Sequence, residues 1–352
     1  MIRAWTPSRA VLIAGLVVGC GGLAPSASIP APTTTDVDLP IAARWSAEPV
    51  DPVDPVPYRA AAAMAGLTIG DRTVWTRTVD EHWLPAEPIE PIDRIGIVAW
   101  HRELVGWTFG PVITTSPDGL AWTETVPGPP EHTSTVLATL LDRLLLFGEG
   151  ARTPAAAWAS MDAATWAPID DAPLGIAATA ELPRGGLVAV GAVRANALVA
   201  TTPNGTNWSL AAAPADVAGG ITLSGVATQG SSIVAIGDVA ETNGAWLTRD
   251  GTTWARTLSL DDPSVFLATV TAVPGGYLIA GQRDHHAMVW LSADGASWTA
   301  VQLPSDDALP TQAAIARVVG HQVIVFGYTT KDAGNGGDLR VDYRVWSLDL
   351  PA

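Results

Sequence analysis

Short apolar runs recur along most of the chain, each closed by glycine. The clearest are Leu144-Leu145-Leu146-Phe147-Gly148, Leu187-Val188-Ala189-Val190-Gly191, Ile233-Val234-Ala235-Ile236-Gly237, Leu278-Ile279-Ala280-Gly281 and Val323-Ile324-Val325-Phe326-Gly327. A short apolar run bounded by a turn former is the pattern of a strand buried on both faces. Other strand-like segments flank each run. In one stretch Thr222 to Thr228, Ile233 to Gly237, Ala245 to Thr248 and Thr253 to Leu258 read as four strands in series, with Gly or Ser clusters between them.

A second pattern predicts how the last two strands of each set are joined. It is clearest in Val289-Trp290-Leu291-Ser292-Ala293-Asp294-Gly295-Ala296-Ser297-Trp298-Thr299. A three-residue hairpin loop pairs Ser292 with Ala296 and sets Trp290 opposite Trp298. Such a loop is a type I turn followed by a left-handed residue, which Ser292 and Gly295 suit. Ser116-Pro117-Asp118-Gly119 and Thr202-Pro203-Asn204-Gly205 add proline at the second position, where its fixed φ favours type I. One copy carries Ala163 where glycine is expected, so its turn should be strained or rebuilt.

The copies end at Trp122, Trp166, Trp208, Trp254 and Trp298, spaced 44, 42, 46 and 44 residues apart. Four strands on this period are the mark of a β-propeller. Trp75 and Trp83 form a degenerate copy whose turn, Thr78-Val79-Asp80, lacks glycine. At the C-terminus Ile315 to Val319, Gln322 to Gly327 and Arg344 to Leu348 supply three strands, and the chain stops without a fourth. Arg44 to Val50 matches the fourth-strand pattern and can complete that set, which closes the ring and removes an open edge. The fold class is therefore all-β, a propeller of seven four-stranded blades closed by an N-terminal strand. Six blades is the runner-up, because Asp51 to Gly70 is short and proline-rich where two strands are needed.

These turns resemble a one-residue-shorter form of the Asp-box (BNR) repeat, Ser-x-Asp-x-Gly-x-x-Trp, of sialidases, sortilin-like proteins and many other propellers. The resemblance covers most of the globular part and implies fold far more than function. It also implies that the box joins the third and fourth strands. Sialidase activity does not follow. The resemblance would require an arginine cluster with an Arg-Ile-Pro type motif, which is absent, and a tyrosine nucleophile, for which the chain has only four tyrosines.

Composition supports one large folded unit. Of 352 residues, 48% are hydrophobic and 15% charged, which excludes wholesale disorder. Arg3 and Arg9 precede the apolar run Ala10 to Val18 and then Gly19-Cys20, the pattern of a secretory signal too short to span a membrane. The segment around Cys20 resembles the bacterial lipobox, and Cys20 is the only cysteine, so no disulfide can form within the chain. The domain reading is residues 1–19 signal peptide, 20–43 a lipidated cysteine and an Ala/Pro/Ser/Thr-rich tether, and 44–352 the propeller. It implies a monomer anchored by lipid to a bacterial envelope, on the outer membrane or cell surface.

Candidate chemistry is sparse. Gly-x-Ser-x-Gly, His-Glu-x-x-His, Walker-type and dinucleotide motifs are absent. Twelve of the 15 tryptophans follow the repeat and read as packing residues, while Trp100 and Trp107, near His101, lie outside it. Adjacent His285 and His286 point to opposite faces of a strand, so they are poor joint metal ligands and read as a solvated loop. The long loop Tyr328 to Tyr343 carries Asp332, Asn335 and Asp338 among glycines, an oxygen set that can hold calcium.

The connections from each fourth strand to the next set are acidic. They contain Asp170, Asp171, Asp216, Asp261, Asp262, Asp306 and Asp307, and all fall on the end opposite the Asp-box turns. Removing Arg3 and Arg9 with the signal takes the formal charge from −16 to −18, which argues against nucleic-acid partners. Two function classes follow: a binding module that takes a protein or glycan through this acidic face, or a hydrolase or lyase with its site at the channel on the same end.

The anchor is testable. Cys20→Ala should abolish partitioning into the membrane or detergent phase, and unchanged partitioning would sink the lipobox reading.

Overall fold

The computed structural model describes residues 45–48, 60–63, 67–70, 74–77, 83–85, 94–101, 103–108, 112–119, 121–127, 136–148, 157–215, 220–240, 242–305, 310–319, 322–332 and 339–350. Cys20 and the segments assigned as signal and tether lie outside the described residues. Every regular element described is a strand.

Strand β1 is Ser46–Glu48. Strands β2 to β5 are Ala60–Ala63, Leu67–Gly70, Val74–Arg77 and Trp83–Pro85; β6 to β9 are Arg94–Trp100, Glu103–Thr108, Val112–Ser116 and Thr123–Pro127. Strands β10 to β13 are Val136–Leu140, Arg143–Phe147, Ala157–Ser160 and Ala167–Pro168; β14 to β17 are Ile176–Glu181, Leu187–Val193, Asn196–Thr202 and Ser209–Leu210. Strands β18 to β21 are Ile221–Gln229, Ser232–Val239, Thr242–Thr248 and Ala255–Leu260; β22 to β25 are Phe266–Val273, Gly276–Arg283, His286–Ser292 and Thr299–Gln302. Strands β26 to β28 are Thr311–Val319, Gln322–Asp332 and Leu339–Asp349.

These strands pair into seven four-stranded antiparallel sheets, numbered here in chain order from β2–β5. The seventh runs β26-β27-β28-β1, so the N-terminal strand supplies its outer edge. Ser46, Ala47 and Glu48 pair with Ser347, Trp346 and Val345. The first strand of each sheet lies against that of the next, β2 on β6, β10, β14, β18, β22 and β26 in turn, and β26 lies against β2. This is an all-β β-propeller, and its core sits between the sheets. One buried cluster joins Val234, Ile236 and Leu247 of sheet five to Ile279, Met288 and Trp290 of sheet six. Another joins Leu278, Val289 and Leu291 of sheet six to Val323, Val325 and Trp346 of sheet seven, with Trp45 among them.

The glycine that closes four of the five apolar runs, Gly191, Gly237, Gly281 and Gly327, has a structural cause. The first strand carries a bulge opposite it, between Ile176 and Ala178, Leu223 and Gly225, Leu267 and Thr269, and Ala313 and Ile315. A bulge drives a carbonyl toward the partner strand. A Cβ on Gly237, Gly281 or Gly327 would stand 2.0 Å from the carbonyl oxygen of Thr222, Phe266 or Gln312. Only glycine fits there.

The turns between third and fourth strands depart from the simple hairpin read from sequence. Trp290 pairs with Ala300 and Leu291 with Thr299, so Trp298 is not opposite Trp290 and Ser292 to Trp298 form a wider arm. The arm closes on its own side chains. The Gly295 N–H donates to the Ser292 hydroxyl at 2.8 Å, and the Asp294 carboxylate accepts the Ala296 and Ser297 N–H groups at 2.8 and 3.0 Å. Asp250 and Asp162 repeat this pattern, and Asn204 performs it without a charge. Left-handed glycine is borne out, with φ of 81°, 80°, 72° and 73° at Gly119, Gly205, Gly251 and Gly295. Ala163 holds φ of 58°, so that turn is strained and not rebuilt.

Two further readings change. In sheet five the second and third strands run on to Val239 and from Thr242, because Val239 pairs with Thr242 across a two-residue turn. The stretch from Tyr328 to Tyr343 is a paired ribbon at its base, with Tyr328 opposite Tyr343 and Asp332 opposite Leu339. Asp332 therefore ends a strand, while its side chain, Asn335 and Asp338 lie outside the described residues.

Two predictions follow from closure and from the turn carboxylates. Deleting residues 44–48 should cost roughly 3–5 kcal/mol in chemical denaturation, because it strips the edge of sheet seven and removes buried Trp45. Deleting residues 21–40 should leave the midpoint unchanged, and equal effects would count against the pairing. Backbone N–H bonds hold Asp162 down to about 2 and also depress Asp250. Burial raises Asp294, but N–H bonds from Ser297 and Ala296 outweigh it and leave it lowered. Depressed carboxylates lend stability above the ordinary value near pH 4, and lose it as pH falls through their folded values. The melting temperature should therefore fall between about pH 4 and pH 2, and fall less in an Asp162→Asn, Asp250→Asn, Asp294→Asn variant. An identical acid limb in the variant would refute this assignment.

Candidate functional site

Antiparallel order fixes which loops share an end. Fourth-to-first connections and second-to-third turns lie on one end, and the box turns lie on the other. Exposed Asp170 and Asp171 follow β13, and exposed Asp261 and half-buried Asp262 follow β21, so these four share the predicted end. Asp216, Asp306 and Asp307 lie outside the described residues. Asp262 is held below the usual carboxylate range by the Ser264 hydroxyl and N–H, with help from the Arg283 charge. It accepts the Ser264 N–H at 2.9 Å. The carboxylate thus stays ionised.

The second-to-third turns complete this end. Arg194 and Ala195 at φ of 50° and 63°, and Asp284 and His285 at 50° and 65°, form two-residue turns with both central residues left-handed. His285 is thus a turn residue, as read, whereas His286 opens β24 opposite Arg283. The two histidines do not converge. Arg283 lies with its guanidinium carbon 6.0 Å from the Trp290 ring centroid. Two sheets are tied to the next at this end: in β20, beside the turn of sheet five, the Asn243 amide donates to the Val265 carbonyl at 2.8 Å, and in the turn of sheet six the His285 carbonyl accepts the Thr311 N–H at 2.6 Å. The loops of this end are therefore braced sheet to sheet.

Sequence reasoning missed the residues just above each bulge. The residue after each closing glycine, Asp238, Gln282 or Tyr328, pairs across the sheet with Thr222, Phe266 or Gln312 at the head of the first strand. In sheet four this place is held by Gly175 and Ala192. These pairs occupy equivalent sites on neighbouring sheets, yet they differ completely in chemistry. Phe266 is 47% exposed. The Tyr328 hydroxyl donates to Gln312 Oε1 at 2.8 Å, and burial pushes the Asp238 carboxyl up. The signal lay in the sequence as the one non-uniform position after a uniform run.

Other candidates resolve into packing. Trp107 is buried, and buried Trp100 stacks on His101 with ring centroids 4.0 Å apart, at the opposite end in the turn between β6 and β7. Among the described residues no three His, Cys, Asp or Glu side chains gather as a metal site, and no helix is long and apolar enough to cross a membrane.

No protein-family model matches the chain, and no curated protein matches it. Solved structures do. The chain is similar to YCF48 bound to D1 peptide, at 14% identity and a TM-score of 0.62 over 88% of this chain and 97% of that one. It is similar to virginiamycin B lyase from Staphylococcus aureus, at 8% identity and 0.63 over 88% and 99%. It is also similar to a streptogramin B lyase, at 10% identity and 0.62 over 88% and 99%. At these identities the likeness shows the shared β-propeller fold alone.

Proposed function

We propose that the chain is a lipid-anchored, extracytoplasmic binding module, a seven-bladed propeller that captures a basic protein partner on its acidic end. The blade count is supported by seven four-stranded sheets and by the pairing of β1 with β28. The Ser/Thr-x-Asp/Asn-Gly arms support an Asp-box type of repeat. The anchor is supported by the sequence around Cys20.

The observation that carries the partner reading is the placement of Asp170, Asp171, Asp261 and Asp262 on one end of a chain whose formal charge is −16. Negative groups on a rigid end attract a cationic surface from a distance and discriminate against acidic partners. Bracing of the loops lowers the entropy lost on binding. The neighbour YCF48 is known here with a bound D1 peptide, which is a precedent for a propeller of this shape meeting a polypeptide. The lyase neighbours, at 8% and 10% identity, carry no residue of their sites onto this chain.

The reading is tested with a lysine-rich probe peptide. Substituting Asp261, Asp262, Asp306 and Asp307 by Asn should weaken capture about tenfold or more at low salt, and flatten its salt dependence. Unchanged affinity in the four-Asn variant would move the working surface elsewhere.

A further inference from the structure

The pairs above the bulges ask for a different ligand from the acidic loops around them. Thr222 and Asp238 stand on sheet five, Phe266 and Gln282 on sheet six, and Gln312 and Tyr328 on sheet seven, each pair in direct cross-strand register. Their first strands lie against one another in order, β18 on β22 and β22 on β26, so the three pairs are neighbours around the mouth of the ring. On sheet four the equivalent pair is Gly175 and Ala192, which offers no side chain larger than a methyl.

The chemistry of this row is neutral and two-way. Gln282 and Gln312 each present an amide that both donates and accepts, Thr222 presents a hydroxyl that does the same, and Tyr328, whose hydrogen goes to Gln312 Oε1, presents an acceptor oxygen. Only Asp238 carries an ionisable acid, on an end where the outer loops are rich in aspartate. Phe266 adds an aromatic ring that is 47% exposed, in a strand whose next residue, Leu267, is 3% exposed. A cationic peptide gains most from carboxylates and little from amides. A polyhydroxylated ring needs donors and acceptors in equal supply, plus an apolar surface for its C–H face.

We propose that this mouth is a saccharide-binding subsite, in which Phe266 carries the apolar face of one sugar unit and Thr222, Asp238, Gln282, Gln312 and Tyr328 take its hydroxyl groups. The bond from Tyr328 to Gln312 Oε1 fixes one amide before the ligand arrives. Fixing it in advance lowers the ordering cost of binding. The bulge and its glycine hold the three pairs at one level, so one ligand can span neighbouring sheets. This site is separate from electrostatic capture by the loops, because it depends on one carboxyl at most.

The test uses the full chain, fluorescently labelled, on an array of neutral oligosaccharides ending in hexose or N-acetylhexosamine units. The saccharide retained best is then titrated against the unmodified chain, Phe266→Ala, Phe266→Tyr, Gln282→Ala and the four-Asn loop variant. Phe266→Ala and Gln282→Ala should each weaken binding about tenfold, and Phe266→Tyr should keep it within about threefold. The four-Asn variant should bind the saccharide as the unmodified chain does. Melting temperatures of the Phe266 and Gln282 variants should match that of the unmodified chain, since Phe266 stands exposed and Gln282 half-buried at the ring mouth. No saccharide retained by the unmodified chain, or equal affinity in Phe266→Ala, overturns the proposal. So does loss of lysine-rich peptide capture in Phe266→Ala with no saccharide bound, which would assign the mouth to the protein interface. Failure of the four-Asn variant to change peptide capture would remove the acidic-face reading alone.

Discussion

Sheets three to six each bury apolar side chains on both faces, one face in the core shared with the sheet before and the other in the core shared with the sheet after, so none can be stable until a neighbour covers each side. The box arms are the clasps that meet this demand. A Cβ on Gly205 would stand 2.9 Å from Leu145 of the preceding sheet, and one on Gly295 would stand 2.8 Å from Val234 of its predecessor. The indole N–H of Trp254 reaches back to the Ala212 carbonyl at 2.7 Å, that of Trp298 to the Thr257 hydroxyl at 3.2 Å, and that of Trp346 to the Pro304 carbonyl at 2.7 Å. A chain of clasps with two ends would leave two apolar faces wet. Pairing of β1 with β28 and contact of β26 with β2 remove both ends at once.

Near the axis the sheets are also tied by hydrogen bonds from polar side chains of the first strands. Thr228 donates to the Glu181 carbonyl, Gln229 to the Val273 carbonyl at 2.9 Å, and Thr271 to the Ala316 carbonyl at 3.0 Å. Side chains elsewhere in the repeat are spent on packing, as with Val234, Leu278 and Phe326, which have no exposed surface. What remains for recognition is the end where connections and two-residue turns meet. There the backbone is braced and side chains such as Asp170, Asp171, Asp238 and Asp261 stand exposed, so neighbouring sheets differ most, as Asp238, Gln282 and Tyr328 do. Rigid backbone with variable side chains is the arrangement that binding surfaces use.

Much of the architecture is legible in the residues themselves, because it rests on local rules. Apolar runs ended by glycine, left-handed glycine in the box turns and the recurrence of Trp122, Trp166, Trp208, Trp254 and Trp298 together dictate strands, turns and a propeller. The completing strand is legible for the same reason, since Trp45-Ser46-Ala47-Glu48 carries the fourth-strand pattern at the wrong end of the chain. The acidic end is half legible: connection order places Asp170, Asp171, Asp261 and Asp262 together, but their environment depends on partners such as Ser264 and Arg283.

Only tertiary structure decides register and neighbours. Trp290 pairs with Ala300 and not Trp298 because Ser292 and Asp294 satisfy the backbone of the arm themselves, a choice that turn composition leaves open. The glycine after a run is visible in sequence, yet for Gly191, Gly237, Gly281 and Gly327 its reason is a bulge in another strand, about 15 residues earlier: Gly237 is opposite Leu223 and Ile236 opposite Gly225, with Ser224 left over between them. The mouth was hidden for that reason. Phe266, Gln282, Gln312 and Tyr328 belong to four different strands, and only the closing of bulged first strands around one axis makes them neighbours.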